Sequence, residues 1–196
     1  MKKKLSFIIF YILISFIFLN QKAFSDSYSS SASILLYHRF GEDKFPSTSI
    51  SIEQLEKHIR ILTQSEYNVM RLENIASAIK RGESLPDKTV AITIDDAFKS
   101  IYTVAWPKLR EANLPFTVFV STDTIDKKYS SMMNWKQIKE LHDSGVTIGN
   151  HLSTHESMVN LDSKIWKEKI DYAQKRLTEI LGEKPLLFAY PYGETS

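Results

Sequence analysis

The sequence predicts a parallel α/β fold of the (β/α) barrel type, incomplete at its C-terminal end, with about six βα units. Three observations carry that prediction. Short apolar, β-branched runs alternate with amphipathic stretches at helical spacing along residues 34–190. The run Thr89–Ile94, TVAITI, has no polar relief, as a strand buried on both faces requires. No G-x-G-x-x-G sequence is present, which argues against a dinucleotide-binding sheet.

Taken in order, Ile34–Tyr37 (ILLY) is the first strand, with His38 at its end. Ser51-Ile52-Glu53-Gln54 fits a capping box, and Ile52, Leu55, Ile59 and Leu62 form the apolar stripe of the helix it opens. Tyr67–Leu72 reads as the second strand, followed by a helix to about Arg81 that Gly82 terminates. Thr89–Ile94 is the third strand. A helix over roughly Ser100–Asn113 should be interrupted near Pro107, which lacks an N–H and clashes with the preceding turn. Phe116–Ser121 is the fourth strand, Trp135–Ser144 a helix stopped by Gly145, and Val146–Asn150 the fifth strand. Ser163–Leu181 is a long amphipathic helix with Gly182 past its end, and Leu186–Tyr190 is the sixth strand.

The N-terminus is a separate object. Lys2–Lys4 precede the uncharged stretch Leu5–Leu19, and Ala23-Phe24-Ser25 offers a small-x-small cleavage site. That is the layout of a secretory signal peptide, residues 1–25, and fifteen apolar residues are short for an uncleaved span. Either way the domain is expected outside the cytoplasm, periplasmic or secreted, touching a membrane only through an uncleaved leader. A serine-rich linker, 26–33, joins the leader to the domain at 34–196. The leader holds four lysines and no acid, so the remaining residues carry 21 basic against 23 acidic groups, a net of −2. No nucleic-acid partner is indicated. The absence of cysteine excludes disulfides, thiol catalysis and cysteine-ligated zinc.

Three clusters carry chemistry, each at a strand's carboxyl end, where α/β folds place their sites. The third strand breaks into Asp95 and Asp96; either one alone could instead cap the next helix. His151 and His155 follow the fifth strand. Four residues apart, they share one face of a helical turn about 5–6 Å apart, a spacing that suits one metal ion. One carboxylate and two imidazoles leave an open position for water. Phe188–Gly193 follows the sixth strand; Pro191 forces an extended step and Gly193 permits a tight bend that can aim a backbone N–H at the mouth. His38 points toward the same mouth as a substrate contact or a neighbour of the ligands. His58 and His142 fall within helices and need no role. Trp106, Trp135 and Trp166 read as packing, with Trp135 also able to line a substrate groove.

Together these clusters resemble the polysaccharide deacetylase family, carbohydrate esterase family 4. Thr93-Ile94-Asp95-Asp96 is similar to the family's Thr-Phe-Asp-Asp-Gly motif, His151-x-x-x-His155 to its second motif, and Phe188–Gly193 to its Arg-x-Pro-Tyr-Gly region. The resemblance implies a distorted barrel of seven or eight strands. It makes Asp95 the catalytic base, Asp96, His151 and His155 the ligands of a divalent ion such as zinc, and the Tyr192 N–H an oxyanion donor. The resemblance makes the substrate an N-acetylated glycan, for which Pro191 and, by its position after a strand, Trp135 are candidate contacts beside His38. Ala97 stands where the first motif has glycine, Leu152 where the second has serine or threonine, and Ala189 about where the third has arginine. The family's later motifs, including its general-acid histidine, have no counterpart before Ser196, so the domain is expected to be C-terminally truncated and slow on amides. An O-acetyl esterase, a fragment that binds metal or glycan without turnover, and a non-catalytic envelope protein are the rival readings.

Overall fold

The computed structural model describes residues 28–29, 31–159 and 162–194; the expected leader lies outside them. Along the chain the elements are β1 (Tyr28–Ser29), β2 (Ser33–Tyr37), β3 (Arg39–Phe40), β4 (Ser49–Ile50), α1 (Ile52–Gln64), β5 (Asn68–Val69), α2 (Leu72–Arg81), β6 (Leu85–Pro86) and β7 (Thr89–Ile94). A π-helical turn, Ile101–Ala105, runs into α3 (Trp106–Glu111). Then come β8 (Thr117–Val120), α4 (Thr122–Asp126), α5 (Trp135–Asp143), β9 (Thr147–Asn150), α6 (Ser163–Leu181) and a 3-10 turn, Pro191–Gly193.

The main sheet is parallel in the order β2-β7-β8-β9, with β5 pairing the start of β7. All six residues of β7 are buried, as an apolar run flanked on both edges must be. Tyr37 pairs with Ile94, and Val120 with Asn150. That register brings the ends of β2, β7 and β9 to one rim, so His38, Asp95 and His151 all leave the sheet on the same side. Val90, Ile92, Ile94, Val118, Val120 and Ile148 face a core built with Ile101, Leu109, Ile138, Leu141 and Leu177 from the helices. On the other face, α2 covers Ala91 through Ile75 and Ala78. Ile34 and Leu36, paired with Ala91 and Thr93, remain 56% and 55% exposed, because β2 is an edge strand and the described sheet does not close. Gly149 is required where β9 passes Phe119: a Cβ there would lie 2.4 Å from the Phe119 ring.

Several boundaries are confirmed. α1 opens on the expected capping box: Gln54 N donates to Ser51 Oγ at 3.2 Å and Ser51 N to Gln54 Oε1 at 2.8 Å. α6 spans the expected residues, with Gly182 left-handed after it. The disruption near Pro107 takes the form of the π-turn, where Trp106 N–H reaches back to Ile101 O. α5 carries a second capping box, Asn134 with Gln137.

Other expectations are corrected. The second strand shrinks to Asn68–Val69, since Leu72 is drawn into α2, whose Ile75 and Ala78 are buried. The sixth strand is absent as a strand: Phe188 makes one parallel bridge to Asn150, and Leu186 is 86% exposed. Part of the expected linker pairs with the domain, Tyr28–Ser29 running antiparallel to Leu85–Pro86. No helical turn forms at His151–His155, because Leu152 adopts the left-handed conformation, φ 68°.

Candidate active site and metal centre

Asp95 and Asp96 follow β7 directly. Asp95 N–H donates to Tyr37 O at 2.9 Å, which carries the sheet's hydrogen bonding one residue beyond the strand. The chain then turns through two consecutive left-handed residues, Asp96 at φ 74° and Ala97 at φ 62°. Ala97 keeps the backbone that a glycine would supply, at a cost of about 1 kcal/mol for its Cβ. The surroundings hold it there. Ala97 is fully buried, and its carbonyl accepts from Met133 N at 3.0 Å. Lys99 N donates to Ser131 O at 2.8 Å.

The strongest brace on this loop escaped the sequence reading. The Arg39 guanidinium lies between two phenyl rings, 3.4 Å from the Phe98 centroid and 3.9 Å from that of Phe45. It pairs with Glu42 at 2.7 Å, and Glu42 Oε1 accepts from Ser100 Oγ at 2.6 Å. Five residues from two segments, 39–45 and 98–100, thus join beside the Asp95–Ala97 turn. The only local signal was an arginine beside His38, in a chain with aromatic residues to either side.

His151 is 1% exposed and fixed at both ends. Its backbone N–H donates to Val120 O at 3.1 Å, and its Nδ1 lies 2.9 Å from Ala189 O. A carbonyl only accepts, so Nδ1 carries the proton and Nε2 presents its lone pair to the site. Ala189, where the family motif has arginine, therefore acts through its backbone. The turn after His151 is held by Asn150, whose Oδ1 accepts from Leu152 N at 2.9 Å. Asn150 Nδ2 is held in turn by Ile170 O and Gln174 Oε1, both at 3.1 Å. The brace that a hydroxyl at position 152 would give comes from the Asn150 side chain instead. An Asn at a strand end, prone to bond its own backbone two residues on, was the readable signal.

His155 returns to the same point. Its ring centroid is 5.2 Å from that of His151, and its Nε2 is 3.1 Å from Asp96 Oδ1. His151 Nε2 lies 3.6 Å from Asp96 Oδ1 and 3.8 Å from Asp95 Oδ2. One ligand atom from each of Asp96, His151 and His155 lies within 4.8 Å of the others. Asp95 Oδ1, Asp96 Oδ1 and His151 Nε2 are buried without a well-aligned hydrogen bond, Asp96 Oδ1 having only the 3.1 Å approach of His155 Nε2. Orphaned buried atoms are costly, and a divalent cation among these three would satisfy two of them at once. The donor set, one carboxylate oxygen and two imidazole nitrogens, fits a zinc-type ion.

The electrostatics separate the two aspartates. Burial, reinforced by the neighbouring Asp96 charge and opposed by His155, pushes the Asp95 carboxyl up to about 7. Burial also acts to raise Asp96, but His155 and His151 outweigh it and hold that carboxyl below its ordinary range. His151 is lowered by burial, and His155 is raised by its contact with Asp96. His38, half-buried and lowered chiefly by burial, is near enough to feel the charges of Asp96 and His155.

Of the other site candidates, Tyr192 stands edge-on to His155 with centroids 4.6 Å apart, at φ 63° in the 3-10 turn, and Pro191 is buried beneath it. Trp135 does not join the cluster. Its indole N–H donates to Asp126 at 2.7 Å and Arg176 covers its ring at 5.1 Å. His58 and His142 lie in α1 and α5; His58 shares a 2.9 Å hydrogen bond with the Tyr37 hydroxyl.

The sequence profile of the polysaccharide deacetylase family matches residues 82–196, a stretch that includes all three motifs. The chain belongs to the polysaccharide deacetylase family. Within it, a poly-beta-1,6-N-acetyl-D-glucosamine N-deacetylase of Staphylococcus aureus is 26% identical over 170 residues, covering 81% of this chain and 58% of its own length. Among solved structures, IcaB from Ammonifex degensii is 29% identical with a TM-score of 0.75, covering 86% of this chain and 77% of its own. The Streptococcus pyogenes deacetylase PplD in complex with acetate superposes with a TM-score of 0.77 over 88% of this chain and 77% of its own. At 19% identity it bears on the fold alone. These neighbours share the family's (β/α) barrel-type fold. The chain spans little more than half the length of the curated relatives it matches, 56% of a Bacillus subtilis one and 58% of the Staphylococcus one.

Proposed function

We propose that this chain hydrolyses N-acetyl groups on an extracytoplasmic polysaccharide, with a divalent metal ion, zinc first among candidates, at Asp96, His151 and His155. One observation carries the reading: the buried Asp96 Oδ1, the unpartnered His151 Nε2 and His155 Nε2 converge within 4.8 Å of one another. An ion there supplies Lewis acidity, acidifying water and polarising a carbonyl.

The remaining roles fall to the chain's own atoms. Asp95, beside the triad but outside it, takes the proton of the attacking water and returns it to the sugar nitrogen as the C–N bond breaks, leaving acetate and the free amine. Its raised affinity for a proton suits a base working near neutrality. The Tyr192 N–H, in the left-handed turn over His155, donates to the carbonyl oxygen as charge builds on it. His151 keeps Nε2 pointed inward because Ala189 O holds Nδ1–H. Apolar burial around Asp95 excludes water that would otherwise screen these interactions. The basic-then-apolar leader supports export, the compartment where an N-acetylated envelope or matrix glycan is met.

The test uses the purified full chain. Calorimetric titration with zinc should give one site, and His151→Ala should remove it. Acetate release from an N-acetylglucosamine oligomer should follow metal loading and disappear in Asp95→Asn. A chain that takes up no divalent ion under any loading condition would sink the reading. Metal uptake without acetate release from glycan or from an O-acetyl ester would replace it with a binding role.

A further inference from the structure

A second groove opens beside the first-motif loop, and none of its lining residues belongs to the triad. It has a volume of about 690 Å³ and runs between the turn after α4 and the start of α5. Its rim carries Lys99, Lys128 and Lys136, all exposed, and its wall carries Tyr129, 53% exposed, and the half-buried Trp135. Among the described residues these three ammonium groups have no carboxylate partner. By contrast Lys127, next to Lys128, pairs with Asp123, and Lys139 on α5 pairs with Asp143. The one acid in the lining, Asp126, is occupied by Arg176 at 2.9 Å and by the Trp135 indole. The groove is therefore a concave surface with net positive charge and an aromatic wall.

Its position gives that charge a purpose. Lys99 follows Phe98 in the loop that carries Asp95 and Asp96, and Met133 N donates to Ala97 O. A polymer whose reacting unit sits at the triad must lay its neighbouring units on adjacent surface, and this groove meets the loop of Asp95 and Asp96 through Lys99 and Met133.

We propose that the groove binds the flanking units of an acidic glycan, one bearing carboxylates or phosphates, with Lys99, Lys128 and Lys136 facing the anionic groups and the exposed Tyr129 facing a sugar ring. The inference rests on the deacetylase reading for the neighbouring site, and it adds a ranking of substrates. Acidic chains bind best, neutral N-acetylated chains less well, and deacetylated chains worst, because their ammonium groups meet the same lysines. The groove thus favours unprocessed acidic strands over product.

The test is equilibrium binding to the full chain without added metal, so that it is independent of turnover. At about 50 mM salt a hyaluronan hexasaccharide should bind about tenfold more tightly than the hexamer of N-acetylglucosamine, and the glucosamine hexamer more weakly than either. The preference should shrink to within about twofold near 0.5 M salt. Lys128→Glu with Lys136→Glu should reverse the ranking while the melting temperature stays put. A glycerol phosphate oligomer run in parallel tells carboxylate from phosphate, since the tighter of the two anions names the source. Binding of the neutral and acidic hexamers within twofold of each other at low salt overturns the proposal. So does an unchanged ranking in the double variant, or equal binding of a DNA oligomer of matched charge, which reduces the groove to bare surface charge. Loss of metal binding with the ranking intact would refute the deacetylase reading and leave the groove standing.

Discussion

Asp95, Asp96 and His151 meet the site from packed protein, whereas His155 and Tyr192 meet it from the exposed side. In the first group Asp95 and His151 are buried and Asp96 half-buried, and all are braced by Tyr37 O, Ala189 O, the Asn150 side chain and the Arg39 stack. Tyr192 is 64% exposed, and among the described residues its hydroxyl reaches only His155 O, at 3.5 Å. One side is set before any ligand arrives; the other can adjust to what arrives. Preorganisation of this kind decides how much binding energy is left for the ligand.

The largest expected effect separates the two histidines. His151→Ala should weaken zinc binding by at least about 10³-fold, and His155→Ala by about tenfold less than that, as measured by competition with a chelating dye. Equal losses would erase the distinction between a fixed ligand and an adjustable one.

Next comes the free energy stored on the buried side. Asp95, with its carboxyl pushed up to about 7, stays protonated in the folded metal-free chain at pH values where the unfolded chain has ionised. The stability this supplies is complete below the ordinary Asp range and is lost as pH rises toward and through 7. Asp95→Asn cannot ionise. The metal-free variant should therefore be more stable than the parent by about 2–4 kcal/mol at pH 8, with the gap closing toward pH 4. Urea denaturation at both pH values reads this out, and an equal midpoint at pH 8 would mean that the carboxylate is better solvated than its burial implies.

Arg39→Met keeps bulk between Phe45 and Phe98 and removes the charge and the planar stack. Loosening the Asp95–Ala97 turn in this way should lower zinc affinity by about 10–100-fold, the scale seen when outer partners of metal ligands are lost. Arg39→Lys should recover little of it, since an ammonium cannot lie flat between two rings. If zinc affinity is unchanged while only the melting temperature falls, the stack supports the fold and not the ligands. The smallest effect belongs to Ala97→Gly. Relief of left-handed strain, about 1 kcal/mol, is offset by a lost buried methyl and a more flexible unfolded chain, so stability should shift by less than about 1 kcal/mol. A larger loss in thermal denaturation would show that the Ala97 methyl is a packing element.

The sequence was most legible where local pattern and chemistry coincide. The run Thr89–Ile94 has to be a buried strand, and its end has to deliver Asp95 and Asp96 to a rim; His151 and His155 follow a strand of the same kind. What escaped was non-local. Arg39 acts through Phe45, Glu42, Phe98 and Ser100, and no short window contains that set. The turn at His151 was misread as helical because spacing alone cannot reveal that Asn150 caps Leu152 into a left-handed bend. Leu186–Tyr190 had the composition of a strand, but its pairing stops at one bridge to Asn150, and composition cannot supply a neighbour. Trp135, expected as a substrate contact, lies apart from the candidate metal cluster on the wall of a separate groove.

Gly149 has a consequence beyond its own fit under Phe119. The Phe119 ring stands 6.4 Å from that of His151, so glycine and phenylalanine together act as a shim under the buried ligand. Thickening the shim by one methyl group drives the ring away from β9 and, with it, one wall of the imidazole's slot. The residue with the least chemistry in the sheet therefore sets the room left around His151 in the candidate metal site.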